Sequence, residues 1–213
     1  MRAGRTLVLF AKVPKLGRVK TRLARETSAP FATRFARRGM EQVIRRTLDD
    51  PRWRTVLSVS PDKDRGVHIP CWPPGPVRCG QGGGDLGDRM ARALRTLGRG
   101  GPVVIVGCDI PGVSPRTIWQ AFEALKANDA VFGPAGDGGY WCIGWAGRRP
   151  LPPTALTGVR WGGPQALEGS IKSLPQSCRI ALIEILEDVD TARDYARITQ
   201  SLTPPWPVNP PGP

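Results

Sequence analysis

The sequence predicts an α/β protein: a mostly parallel mixed sheet with helices on both faces. Three observations carry that reading. Apolar runs of strand length alternate along the chain with amphipathic stretches of helical spacing. The run Val103 to Val106 is apolar without interruption, as suits a central strand buried on both sides. The segments rich in charge and glycine follow the apolar runs, at the carboxyl ends of the strands where such sheets bind their ligands.

In chain order, strands are expected at 6–11, 55–60, 103–107, 130–133, 140–144 and 180–186, each a short apolar run. Helices are expected at 29–48, 86–97, 115–127, 164–174 and 191–199. In 86–97, Leu86, Met90, Ala93, Leu94 and Leu97 recur at helical spacing while Arg89, Arg92 and Arg95 face elsewhere. Ser114-Pro115 reads as an N-cap followed by proline at the first helical position. Thr191 is expected to cap the last helix. Residues 1–202 are expected to form one domain, and 203–213, with six prolines in eleven residues, a disordered tail.

Composition narrows the function classes. No apolar run approaches the ~20 residues of a membrane span, and the short run after Arg2 and Arg5 lacks the length and cleavage site of a signal peptide. A cytoplasmic location is the expectation. The five cysteines, Cys71, Cys79, Cys108, Cys142 and Cys178, are widely spaced with no CxxC pair, and His68 is the only histidine, which argues against structural zinc. The net charge of +13 invites nucleic acid, but 25 of the 31 basic residues are arginine in a chain rich in alanine, glycine and proline. That bias fits a GC-rich coding sequence, and the few aromatics are not interleaved with the cations as a single-strand-binding surface prefers. Nucleic acid is not the expected partner.

The densest charge follows the first strand. FAKVPKLGRVKTRLAR sets Lys12, Lys15, Arg18, Lys20, Arg22 and Arg25 in fourteen positions without an acid. It is not a P-loop, because Val19 rather than glycine precedes Lys20-Thr21. Side-chain cations must therefore hold the anion, and lysine ammoniums with Arg22 suit a di- or triphosphate. In VIVGCDIPGVSP, Asp109 lies just beyond a strand that ends on Gly107. A carboxylate placed there suits a divalent metal bridging phosphates, and Gly107 allows a ligand close to the backbone. GPAGDGGYWCIG reads as strand, turn and strand with Asp137 at the tip. QGGGDLGDRM leads into a helix beginning near Asp85; Asp85 and Asp88 argue against a bare phosphate there and favour a nucleoside or sugar hydroxyl. LEDVDTARDY clusters Glu187, Asp188, Asp190 and Asp194; Asp188 and Asp190 alternate along an extended segment, so that one could point into the site and the other not.

Five motifs in order, Lys12 to Leu23, Gln81 to Met90, Gly107 to Pro111, Gly133 to Tyr140 and Asp188 to Thr191, resemble a bacterial family of GT-A-type glycosyltransferase-like proteins. That family is linked in name to arsenosugar biosynthesis and akin to 2-phospho-lactate guanylyltransferases and molybdenum-cofactor nucleotidyltransferases. The resemblance implies a Rossmann-like nucleotide-diphospho-sugar transferase fold that binds a nucleotide at its carboxyl edge. It implies Lys12, Lys20 and Arg22 at phosphates, Gly82, Asp85 and Gly107 around the nucleotide, and Asp109 and Asp190 on Mg²⁺ or Mn²⁺. Asp137, with Gly138, Gly139, Tyr140 and Trp161, would lie on the acceptor side. Two departures stand out: Trp161-Gly162-Gly163 where such proteins tend to have Trp-Ser, and Ala192 where a proline often follows Asp-x-Asp-Thr.

The implied activity is glycosyl transfer from a nucleotide sugar to a small acceptor, with Asp137 as candidate base. The alternatives are nucleotidyl transfer from a nucleoside triphosphate, with Lys20 stabilising the reacting phosphorus, or a non-catalytic binder on a transferase fold.

Overall fold

The computed structural model describes residues 4–70 and 72–199, so Cys71 and the expected tail at 203–213 lie outside the described residues. The strands are β1 (Thr6–Lys12), β2 (Arg54–Ser60), β3 (Val77–Gly80), β4 (Val103–Gly107), β5 (Ala130–Pro134), β6 (Tyr140–Trp145) and β7 (Ile180–Leu182). The helices are α1 (Thr21–Glu26), α2 (Ala29–Leu48), α3 (Leu86–Leu97), α4 (Pro115–Ala124), α5 (Ala166–Lys172) and α6 (Ala192–Thr199). One sheet takes the order β3-β2-β1-β4-β6-β5-β7. Within it β6 runs antiparallel to both neighbours, and every other pairing is parallel.

Successive side chains of the central strands turn to opposite faces of the sheet, and both faces are buried. Leu7, Leu9 and Ala11 of β1 join Leu57, Val59, Val104 and Val106 in a core covered by α2 and α4, through Met40, Val43, Ile44, Ile118 and Phe122. Val8, Val103, Ile105, Phe132 and Ile143 face the other way, onto Met90, Ala93 and Leu94 of α3, with Leu167 and Ile171 of α5 at the margin. Each fully buried leucine or valine here contributes about 1.5–3 kcal/mol over an exposed one. A third, smaller cluster of Leu23, Phe31, Phe35, Val189 and Tyr195 ties α1, α2 and α6 together below the loop after β1.

Three elements differ from expectation. The edge strand β3 pairs only with β2 and leaves Val77 exposed, so it carries no apolar run for a sequence reading to find. Helix α1 is six residues long and buries only Leu23, too short for a helical period to show. The expected strand at 180–186 is regular only over Ile180–Leu182, then runs on through isolated bonds to Phe132 and Pro134. The caps form as expected. Ser114 makes a capping box with Thr117 ahead of Pro115, and Thr191 Oγ1 exchanges hydrogen bonds with Asp194. No helix of the described residues is long and apolar enough to cross a membrane.

Candidate active site

The sheet reverses its direction of growth between β1 and β4, the crevice where open α/β sheets bind ligands. A hollow of 460 Å³ opens there, lined by Lys12, Arg18, Lys20, Arg22, Asp109 and Asp190, over a floor that includes Met40 and Ala36. Four of the six cations of the opening loop thus meet at one place. Lys15 is engaged elsewhere, 2.7 Å from Asp64. Arg18, a lining residue, is missing from the sequence-derived site; it had only its membership of the charge run to mark it.

Lys20 is the centre of the site. Its backbone sits in the left-handed region, φ 45°, at the N-cap of α1. A side chain in that region costs energy and is kept where its surroundings impose it. The ammonium reaches Asp188 at 2.7 Å and Asp109 and Asp190 at 3.1 Å each, with the side chain only 5% exposed. Burial alone would lower the Lys20 pKa, but the three carboxylates hold it well above the usual lysine range. Burial pushes the Asp188 carboxyl up to about 6, opposed by Lys20 and reinforced by Asp109 and Asp190.

The expectation that only one of Asp188 and Asp190 would face the site is corrected. Side chains two apart in an extended segment share a face, and both carboxylates reach Lys20. Val189 between them turns the opposite way and is fully buried in the third cluster. Asp188 is therefore a site residue that the sequence-derived set lacked, and the i, i+2 spacing was the signal that could have found it.

The three carboxylates converge on an ammonium, and among the described residues no group of three or more metal-ligating side chains is spaced to hold an ion as it stands. Magnesium that serves nucleotides needs less: one or two carboxylates with phosphate oxygens and water completing the shell. Asp109, 49% exposed, and Asp190, 38% exposed, offer that donor chemistry on the wall of the hollow, so they fit such an ion in the two-carboxylate sense. Gly107 stands beneath: a Cβ there would press on Asp109 Oδ1, so the missing side chain keeps the carboxylate where it lies.

Gly82 and Asp85 do not join this hollow. The Gly82 N–H donates to both oxygens of Asp62, and Asp85 caps α3 in a box with Asp88. Their sequence signature, glycines before a helix, serves the local turn and the cap.

Asp188 itself lines a second hollow, of 160 Å³, together with Asp137, Gly139, Tyr140, Trp161 and Gly163. The β5–β6 turn shapes it. Asp137 Oδ1 accepts the Gly139 N–H at 2.9 Å, and the Gly138 carbonyl accepts from Leu167 at the start of α5. Gly138 has φ +83° and packs against the Pro164 backbone, where a Cβ would collide. Tyr140 receives a hydrogen bond from Ser170 at 3.1 Å, and burial holds its hydroxyl well above the usual tyrosine range, so it is neutral. Trp161 sets its ring edge-on to Tyr140, 6.4 Å away.

The fold is α/β, of the nucleotide-diphospho-sugar transferase type. A protein of Desulfovibrio desulfuricans G20, described provisionally as a nucleotide-diphospho-sugar transferase, superposes with TM-score 0.82 at 25% identity, over 92% of this chain and 87% of that one. Two more distant structures share the fold. The 4-diphosphocytidyl-2C-methyl-D-erythritol synthase of Anaerococcus prevotii DSM 20548 matches at TM-score 0.57 and 10% identity, over 93% of this chain and 96% of its own. Rv0371c of Mycobacterium tuberculosis H37Rv, solved in complex with manganese, matches at TM-score 0.52 and 18% identity, over 94% and 100%. Curated proteins offer no match. The chain belongs to the DUF2064 family, described as an uncharacterized protein conserved in bacteria, whose profile covers residues 43–163.

Proposed function

We propose that this protein is a transferase that takes a nucleotide-activated donor, and that it moves a glycosyl group from a nucleotide sugar to a small acceptor. The observation that carries the reading is the link between two hollows: Lys20 lines a cation-rich one, Asp188 lines an aromatic one, and the two side chains meet at 2.7 Å. The larger hollow is of the size that small ligands and cofactors occupy. Lys12, Arg18 and Arg22 would hold the donor's diphosphate by charge-assisted hydrogen bonds. Asp109 and Asp190 would hold Mg²⁺ or Mn²⁺, and such an ion neutralises charge on a departing diphosphate. Lys20 keeps the acids in position and offers its own positive charge beside the same phosphates.

In the proposed step the acceptor hydroxyl oxygen bonds to the anomeric carbon while the bond from that carbon to the diphosphate oxygen breaks. The hydroxyl proton passes to Asp137, and the nucleoside diphosphate leaves with the bonding electrons. The exposed turn that carries Asp137 lines the second hollow, where the acceptor would lie.

Nucleotidyl transfer is the second reading, favoured by the number of cations: four around one hollow is ample for a triphosphate. Calorimetric titration with UDP-, GDP-, ADP- and dTDP-sugars and the four nucleoside triphosphates, with and without Mn²⁺, separates the readings. Metal-dependent binding of one nucleotide sugar, lost in Asp109→Ala, is expected. A preference for a triphosphate, with pyrophosphate released on turnover, would replace glycosyl by nucleotidyl transfer. Binding of none would remove both.

A further inference from the structure

The second hollow differs in charge from the first. The chain carries a net charge of +13, yet among the described residues no lysine or arginine lines this hollow, while two carboxylates, Asp137 and Asp188, do. The nearest counter-charge to Asp188 is the Lys20 ammonium, and it is shared with Asp109 and Asp190, three carboxylates to one cation. Arg22 reaches only the far oxygen of Asp190, at 3.5 Å. The field inside the hollow is therefore negative.

Hydrogen-bonding capacity points the same way. The Tyr140 hydroxyl already accepts from Ser170. The indole N–H of Trp161 is buried and has no partner among the described residues. A buried donor without a partner costs about 1–3 kcal/mol, a deficit that a bound acceptor oxygen removes. That donor is neutral, enough for a hydroxyl or ether oxygen, whereas a phosphate is held best by several donors or a cation. The remaining wall is apolar or glycine: Leu86, Ile110, Ala135 and Gly163.

We infer that the second hollow selects an uncharged or cationic polyhydroxy compound as acceptor and rejects phosphorylated and carboxylated ones. This rests on the transferase reading above and sharpens it. A dianion seated between Asp137 and Asp188 would meet like charge with no cation to compensate, the kind of built-in repulsion by which sites discriminate. The anionic partner of the reaction is the donor alone, held in the cationic hollow. The same argument sets nucleotidyl transfer to a phosphate acceptor against the charge of this hollow.

The test uses the full chain, ¹⁵N-labelled, with the Trp161 indole resonance assigned by its loss in Trp161→Phe. Matched probes are titrated: glycerol and glycerol 3-phosphate, glucose and glucose 6-phosphate, and lactate as a carboxylate. At least one neutral probe is expected to shift the Trp161 signal with affinity at least about tenfold above its phosphate, a difference of about 1.4 kcal/mol. In Asp137→Asn that preference should narrow, because one of the two repelling charges is gone while the amide oxygen can still accept from Gly139. If no neutral probe moves the Trp161 signal more than its anionic counterpart, the inference is overturned. The nucleotide calorimetry keeps the two claims apart. No nucleotide binding with the neutral preference intact overturns the donor reading, whereas nucleotide binding with the preference reversed overturns the acceptor inference.

Discussion

The two hollows are joined by one ion pair, between Lys20 lining the larger and Asp188 lining the smaller, yet they are made by different means. The larger is built from charge: long cationic side chains on a loop and a short helix, facing acids from β4 and from the segment after β7. Its geometry depends on the third core cluster, where Leu23 anchors α1 and Val189 anchors the acid pair. The smaller is built from shape: a hairpin turn, glycines, and two aromatic rings set edge to face. A charge-built site tolerates displacement by an ångström, because Coulomb attraction falls slowly with distance. A shape-built site does not, because packing contacts vanish over less than that. Substitutions should therefore fail differently in the two places, in phosphate affinity on one side and in turnover or folding on the other.

The sharpest separation is expected from Asp137→Asn. Loss of a general base typically costs ~10²–10⁴-fold in turnover, while donor affinity measured by calorimetry should stay within about twofold, since Asp137 lines only the smaller hollow. Unchanged turnover would remove Asp137 from the chemistry.

Lys20→Met should break the larger hollow and its scaffold together. Three carboxylates would be left facing one another around a vacated charge, at a cost of about 2–4 kcal/mol, below that of a fully buried pair because Asp109 and Asp190 remain solvated. Urea unfolding at neutral pH measures that loss, and nucleotide affinity should fall with it. A variant as stable as the parent would mean that Lys20 is not what holds the acids in place.

Gly138→Ala is the structural counterpart on the smaller side. The new Cβ meets the Pro164 backbone in a left-handed turn, and a destabilisation of about 1–3 kcal/mol is expected from strain and clash. Its thermal midpoint should drop, with acceptor binding lost before nucleotide binding as the turn loosens. The smallest effect is expected from Lys12→Gln. Lys12 is exposed, so its loss should weaken nucleotide affinity only by about two- to fivefold and more so at low salt, leaving stability unchanged.

Much of this fold was legible in the chain. The expected helices at 29–48 and 86–97 match the observed bounds, because each carries a long amphipathic period and a cap, Ser28 and Asp85. The strand at 103–107 likewise needed only its continuous apolar run. The elements that escaped, α1 and β3, bury too little to leave a pattern. Within the site, Asp109 and Lys20 were legible as chemistry, one just past a strand end and the other in a charge run. Their meeting was not, for nothing local states that Lys20 will face carboxylates 168 and 170 positions away. Gly82 and Asp85 stand apart from the larger hollow, in a ligand-like pattern whose polar groups also serve the local turn and the cap.

The sequence by itself determined the alternation of strands and helices, the caps, and which polar residues stand at the strand ends. These depend on the apolar period and on hydrogen bonds between near neighbours, both written in consecutive residues. Only the tertiary structure decided that β6 would run against its neighbours, that Asp188 and Asp190 would both turn to Lys20, and that the Lys20–Asp188 pair would join a cationic hollow to an aromatic one. Those outcomes come from packing between segments far apart in the chain, where Val189 and Leu23 bury together and carry their charged neighbours with them. Burial of the apolar residue places the polar one beside it.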